Sequence, residues 1–247
     1  MSVEPVLTGR GLVRRFGDVA ALAGVDVAVG RGEAVAAMGP SGSGKSTLLH
    51  CLAGVEVPDE GEVHLLGERI DRLGERRRAQ LRRRRFGFVF QSGHLLPELP
   101  AVENVALPLL LEGRPRRAAV AEARRWFAPL GIDGLEGRRP GELSGGQAQR
   151  VTIARALVVQ PTVVFADEPT AALDRQSGRD VVALLVATAR SSGAGLLVVT
   201  HDPDVAEACD RVVAMRDGVV GPAPAGPTLA GAPTLAGATA LVAGPHL

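Results

Sequence analysis

The sequence predicts an α/β fold: a mostly parallel sheet with helices between its strands, an N-terminal antiparallel β subdomain, and an inserted α-helical lobe. Three observations carry that expectation. Short apolar runs at Glu33–Met38, Phe86–Phe90, Thr162–Ala166 and Leu196–Thr200 each give way at once to a glycine or a polar residue, as strands do when they leave a buried sheet. Helical segments separate these runs, and strand alternating with helix implies parallel pairing, because parallel neighbours need a crossover. Residues 5–33 instead carry Val-rich alternating segments broken by glycine, such as Val25–Val29, the pattern of antiparallel strands.

Taken in order, the run Glu33–Met38 feeds a glycine loop, and from Ser46 the spacing of Leu48, Leu49 and Leu52 predicts a helix stopped by Gly54 and Pro58. Arg76–Arg78 and Arg82–Arg85 form a dense run, expected to be a solvated helix face, with a contact surface for lipid headgroups or a partner as the alternative. Residues 100–130 read as helical, with Trp126 and Phe127 in the core of the lobe, which spans about residues 92–158. The globular unit is expected over residues 1–220. The tail 221–247 is mostly Gly, Ala and Pro and repeats PTLAG at Pro227–Gly231 and Pro233–Gly237. So few bulky apolar side chains cannot offset the entropy of ordering, and the tail is expected to be disordered.

Composition narrows the function classes. A chain of 247 residues with 46% hydrophobic content can bury a sizeable core. Its 28 basic and 27 acidic residues nearly cancel, which gives no bulk electrostatic footprint for nucleic acid or anionic membrane, so any such partner is expected to be engaged locally. Cys51 and Cys209 match neither a disulfide framework nor a metal spacing, as expected in a reducing cytosol. No stretch of about 18 apolar residues occurs and the N-terminus lacks a signal-peptide pattern, so neither a membrane span nor export is expected. All the basic residues but one are arginine, and the exception is Lys45. A compact ammonium in a narrow loop would explain why an amine is kept there.

That lysine lies in Gly39, Pro40, Ser41, Gly42, Ser43, Gly44, Lys45, Ser46 and Thr47, which satisfies G-x-x-x-x-G-K-[ST]. Glycines let successive N–H groups curl toward phosphate oxygens, and the following helix presents its positive end to the same charge. Lys45 is then expected to reach the β- and γ-phosphates of ATP, with the Ser46 hydroxyl on Mg²⁺. The strand 163–166 ends in Asp167 and Glu168, at the edge where parallel sheets bind ligands. Asp167 suits the metal, and Glu168 suits the orientation and deprotonation of a water; the alternative is a plain acidic turn before Pro169. A third element, Leu143, Ser144, Gly145, Gly146 and Gln147, opens a helix and forms a second anion site. One ATP does not need two such sites from one chain. Ser144 and Gly145 are therefore expected to face the γ-phosphate bound to a second copy, although Ser144 could be only a helix cap.

LSGGQ between a phosphate loop and an apolar strand ending in Asp-Glu is similar to the signature of the ABC ATPase family, and the resemblance covers residues 5 to about 220. It implies a P-loop NTPase core that uses ATP and Mg²⁺. Gln91 resembles the glutamine that senses the metal and a membrane partner, and His201 resembles the switch histidine on the γ-phosphate. Asp174 and the rest of the signature, Gly146 and Gln147 included, belong to the nucleotide site, and Phe16 stands where an aromatic stacks on adenine. Two departures stand out. The chain has no Tyr, often found at the stacking position, and Ala171 occupies a place often held by Ser or Gly. Within the family, RFGFVFQSGHLLPELPAVENVALPLLLEG and Met215–Gly218 resemble the lipoprotein-release, macrolide-export and cell-division group. That resemblance implies a homodimer bound to an integral membrane permease and located on the inner face of the cell membrane. Leu95, Leu96, Val105 and Leu107 are expected to form a groove for a permease helix, or else lobe core. A regulatory ATPase of cell division and an importer ATPase remain the alternatives. A nucleic-acid-associated member would carry tandem ATPase domains or a long coiled-coil insert.

Overall fold

A computed structural model describes residues 5–91 and 94–221. The glycine-broken valine segments form β1 (Pro5–Phe16) and β2 (Val19–Gly30), paired antiparallel with several register shifts. Then come β3 (Ala34–Met38), α1 (Lys45–Leu52), β4 (Glu60–Leu65) and the short β5 (Glu68–Arg69). Strands β2-β1-β4-β5, in that order, make a four-stranded antiparallel sheet. Next are α2 (Glu75–Arg85), β6 (Phe86–Phe90), α3 (Ala101–Leu111), α4 (Arg116–Arg124) and α5 (Gly145–Leu157). The chain continues through β7 (Val163–Asp167), α6 (Arg175–Ser192), β8 (Gly195–Thr200), α7 (Pro203–Glu207), β9 (Arg211–Arg216) and β10 (Val219–Gly221).

The second sheet runs β10-β9-β3-β8-β7-β6. Its pairs are parallel except for β10, which lies antiparallel on the edge. The central strands are continuously apolar because both faces are covered. Along β7, Val163 and Phe165 point into a core shared with α1 and the antiparallel sheet, while Val164 and Ala166 point into a core shared with α3, α5 and α6. The two-residue period of a strand distributes one run between two cores.

The expected helix over 100–130 is broken. Gly113 takes φ 84° and Pro115 follows, so α3 stops at Leu111 and α4 starts at Arg116. Phe127 is fully buried and Trp126 packs on the same core. The arginine run is helix α2, none of whose residues is buried. The expected tail, with both PTLAG repeats, lies outside the described residues apart from Gly221, the last residue of β10. Among the described residues no helix is long and apolar enough to cross a membrane.

Candidate functional site

Four adjacent parallel strands, β3, β8, β7 and β6, end side by side, and each hands over to a sequence-predicted site residue. The glycine loop follows β3, His201 follows β8, Asp167 closes β7 with Glu168 next, and Gln91 follows β6. Register aligns Met38 with Thr200, Asp167 with Val199, and Phe90 with Asp167. Loops leaving one edge of a parallel sheet share one crevice. Pro40, Ser41, Gly42, Gly44, Lys45, Ser46, Thr47, Gln91, Glu168 and His201 line it, joined by Ala21 and Ala171.

The loop is shaped by close backbone approach as well as by its curl. A Cβ on Gly39 would lie 2.1 Å from the Met215 carbonyl oxygen; one on Gly44, at φ 96°, would lie 2.2 Å from that of Ala21. Neither position accepts a side chain. The turn after β9 holds the loop from below, with Gly218 N–H donating to the Ser43 carbonyl at 3.2 Å. Met215–Gly218, noted in the sequence only for its resemblance, is thus part of the loop's support. The buried Lys45 ammonium donates to the carbonyls of Gly39 and Pro40, both at 2.9 Å. The buried Ser43 hydroxyl has no hydrogen-bond partner among the described residues.

Ser46 Oγ lies 3.5 Å from Asp167 Oδ1, and burial pushes the Asp167 carboxyl up from the usual carboxylate range, against the pull of that hydroxyl. A hydroxyl and a carboxylate are hard oxygen donors of the kind that hold Mg²⁺ when phosphate and water complete its octahedron. No cluster of three or more His, Cys, Asp or Glu able to hold a metal by itself occurs among the described residues. Glu168 sits at φ 47°, a left-handed conformation costly for a side-chain-bearing residue. Its amide donates to the Val199 carbonyl at 2.9 Å, and its carboxylate meets His201 Nδ1 at 2.7 Å and the Thr200 hydroxyl at 3.4 Å. A strained backbone pinned from three sides aims this carboxylate into the crevice.

LSGGQ is elsewhere. Ser144 caps α5, accepting from the Gln147 amide at 3.3 Å, while Gln147 Oε1 accepts from the Ser144 amide at 2.9 Å. This reciprocal box explains both residue types locally. Gly145 packs on Leu173, and Asp174 caps α6 by accepting from the Ser177 amide at 3.0 Å. Ser144, Gly145, Gly146, Gln147 and Asp174 do not line the crevice of their own chain, and Ser144 and Gly145 are exposed.

Phe16 is also outside that lining, at the exposed end of β1. The Arg14 guanidinium lies 4.9 Å from its ring centroid and is itself held by Glu56 at 3.1 Å and Asp59 at 3.0 Å. Arg14, Thr200 and Gln149, whose amide donates to the Phe90 carbonyl at 3.2 Å, escaped the sequence reading. Signals existed: Arg14 is two residues from Phe16 on a strand and so shares its face, and Thr200 is a polar residue ending a run of buried ones. The expected groove residues divide. Val105 is fully buried core and Leu95 packs against it, whereas Leu107 lines a groove with Phe86, Phe88, Phe90, Pro108 and Leu111. Of the two readings, groove or lobe core, Val105 takes the second, because it sits on the inner face of α3.

Residues 22–171 match the sequence family described as ABC transporter. The chain is 41% identical over 215 residues to the lipoprotein-releasing system ATP-binding protein LolD of Porphyromonas gingivalis, covering 87% of this chain and 98% of that protein. It is 48% identical over 221 residues to the macrolide export ATP-binding/permease protein MacB of Bradyrhizobium diazoefficiens, covering 88% of this chain and 34% of that one. It therefore spans about a third of the macrolide-export relative's length. Among solved structures, the dimeric post-hydrolysis state of the ATP-binding cassette MJ0796 bound to ADP and Pi superposes with a TM-score of 0.77 at 36% identity, over 87% of this chain and 96% of that one.

Proposed function

The chain belongs to the ABC transporter family, and on that premise we propose that it is the ATP-hydrolysing subunit of a transporter of the lipoprotein-release or macrolide-export type. The observation that carries this is the crevice: a glycine loop, a lysine, an acidic pair and a histidine delivered to one sheet edge by four adjacent strands. The unit that performs it is residues 1–220, with the helical lobe at about 92–158.

In this reading the loop from Gly39 to Thr47 binds the triphosphate through its amides. The Lys45 ammonium leaves the carbonyls of Gly39 and Pro40 for phosphate oxygens. Ser46, Asp167 and Gln91 would hold Mg²⁺, which when bound neutralises charge on the phosphates. Glu168 orients the attacking water and takes its proton, and His201, already bonded to Glu168, contacts the γ-phosphate. Phe16 stacks on adenine. The exposed Ser144 and Gly145, with Gly146, Gln147 and Asp174 beside them, serve the site of a second copy across a two-fold interface. The dimer sits on the inner face of the membrane, and a permease helix occupies the groove lined by Phe86, Phe88, Phe90 and Leu107. Hydrolysis removes the charge that joins the two halves, which then part and return the permease to its resting state.

The test separates the two half-sites. Lys45→Ala is expected to abolish ATP binding by the isolated chain. Ser144→Arg is expected to leave that binding intact and to abolish ATP-dependent dimerisation. Loss of ATP binding by a Ser144→Arg monomer would overturn the shared-site reading.

A further inference from the structure

Helix α2 carries seven arginines in eleven residues, in a chain whose formal net charge is only +1. Two carboxylates answer them. Glu75 pairs with Arg78 and Arg82, and Glu112 pairs with Arg83 and Arg84. Five positive charges stay uncompensated, and Arg76, Arg77 and Arg85 meet no carboxylate among the described residues. Arg76 and Arg77 lie two turns before Arg83 and Arg84, so they form one exposed stripe. Arg78 and Arg82 also donate to the Leu73 and Gly54 carbonyls, whereas the exposed Arg76, Arg77 and Arg85 only add like charge along the helix, which repels. Val55 is 46% exposed and Leu111 65% exposed, and both line the aromatic groove with Arg82 and Arg83, a cavity of about 430 Å³.

We propose that α2 rests on the headgroups of anionic phospholipid, with its arginines on the phosphates and the neighbouring Val55 and Leu111 facing the apolar boundary. Charge spread along a whole exposed helix matches a two-dimensional array of phosphates better than one carboxylate-bearing pocket. Cationic and apolar side chains on one face are what surface-lying segments use, the first attracted to anionic lipid and the second buried at the acyl boundary. The groove proposed for a permease helix is continuous with this face, so a subunit docked there would hold α2 toward the bilayer. That orientation rests on the transporter reading; the lipid contact does not.

The test is co-sedimentation of the full chain with vesicles of phosphatidylglycerol and phosphatidylcholine, against vesicles of phosphatidylcholine alone. The chain is expected to pellet with the anionic vesicles only and to be released by added salt. Each basic residue at such a surface is worth about five-fold in partitioning, so R76Q/R77Q/R85Q is expected to weaken binding about 100-fold while keeping the ATPase rate. R116Q/R117Q/R124Q, which removes as much charge from exposed positions of α4, is expected to bind like the unmodified chain. Three results would overturn the proposal: no preference for anionic vesicles, full binding by the α2 variant, or an equal loss in the α4 variant. An α2 that serves an acidic protein instead would leave the vesicle pellet empty, which is the first of these. Failure to co-purify with a permease would sink the transporter reading and leave the vesicle result standing.

Discussion

Replacing Glu168 with Gln removes one proton-accepting oxygen and little else. The amide keeps an oxygen for the Thr200 hydroxyl and a polar atom for His201 Nδ1, now at 3.4 and 2.7 Å, and it leaves the backbone at φ 47° unchanged. Stability is therefore expected to stay within about 0.5 kcal/mol, the range of substitutions that disturb no packing or buried charge. In the proposed mechanism chemistry loses its base, which is expected to cost about 10²- to 10⁴-fold in rate, or roughly 3–5.5 kcal/mol in the barrier. Phosphate release under saturating ATP would measure the rate, thermal unfolding the stability, and gel filtration the assembly. With hydrolysis blocked, ATP is expected to hold the variant as a dimer, because in the proposed shared site the γ-phosphate that would bridge the two copies persists. A rate within ten-fold of the unmodified chain would show that Glu168 is not the base. A chain that stays monomeric with ATP would show that the exposed Ser144 and Gly145 do not complete the site of a second copy.

Other perturbations read other parts of the site. Gly44→Ala places a methyl 2.2 Å from the Ala21 carbonyl at a φ of 96°; the left-handed backbone alone costs about 1–2 kcal/mol, so a Tm fall of several degrees with loss of ATP binding is expected. Arg14→Met removes the guanidinium over Phe16 and is expected to raise KM for ATP several-fold with kcat little changed, the pattern of lost ground-state binding. Burial raises the Asp167 carboxyl, so the folded state favours its protonated form. Its ionisation opposes folding as pH rises through the raised value, and Asp167→Asn is expected to raise the Tm of the nucleotide-free chain at neutral pH while abolishing Mg²⁺-dependent hydrolysis. Asp210 behaves oppositely, since the Ala34 amide and then Arg190 hold its carboxyl below the usual range. Its contribution is present above the ordinary carboxylate pKa and is lost as pH falls through the lowered value, so the stability lost by Asp210→Asn is expected to shrink in acid.

The strands around the crevice were legible because each is a short apolar run that stops at a polar residue, and burial on both faces forces that composition. The lobe was less so. Apolar residues on either side of Glu112–Pro115 read as one helical segment, and Gly113, at φ 84°, with the proline two residues later turns it into two helices. Motif residues were found because their spacing is local, as in Gly39–Thr47 or Ser144–Gln147. Pairings between residues distant in sequence were not. Arg14 is fixed by Glu56 and Asp59 and Glu168 by Thr200 and His201, and no local pattern records such pairings. Val105 stayed open between groove and core for a related reason: an apolar residue on a helix has no mark saying which its face looks into.

Lys45 is the sole lysine of the chain, and its amine is buried against two loop carbonyls. Among its side chains, amine-directed chemistry therefore finds only the residue proposed to grip phosphate. A lysine-specific protease has one place to cut, between Lys45 and Ser46, inside the loop itself. Acylation, cross-linking or cleavage at this amine would each report whether the loop is open, and ATP would protect against all three.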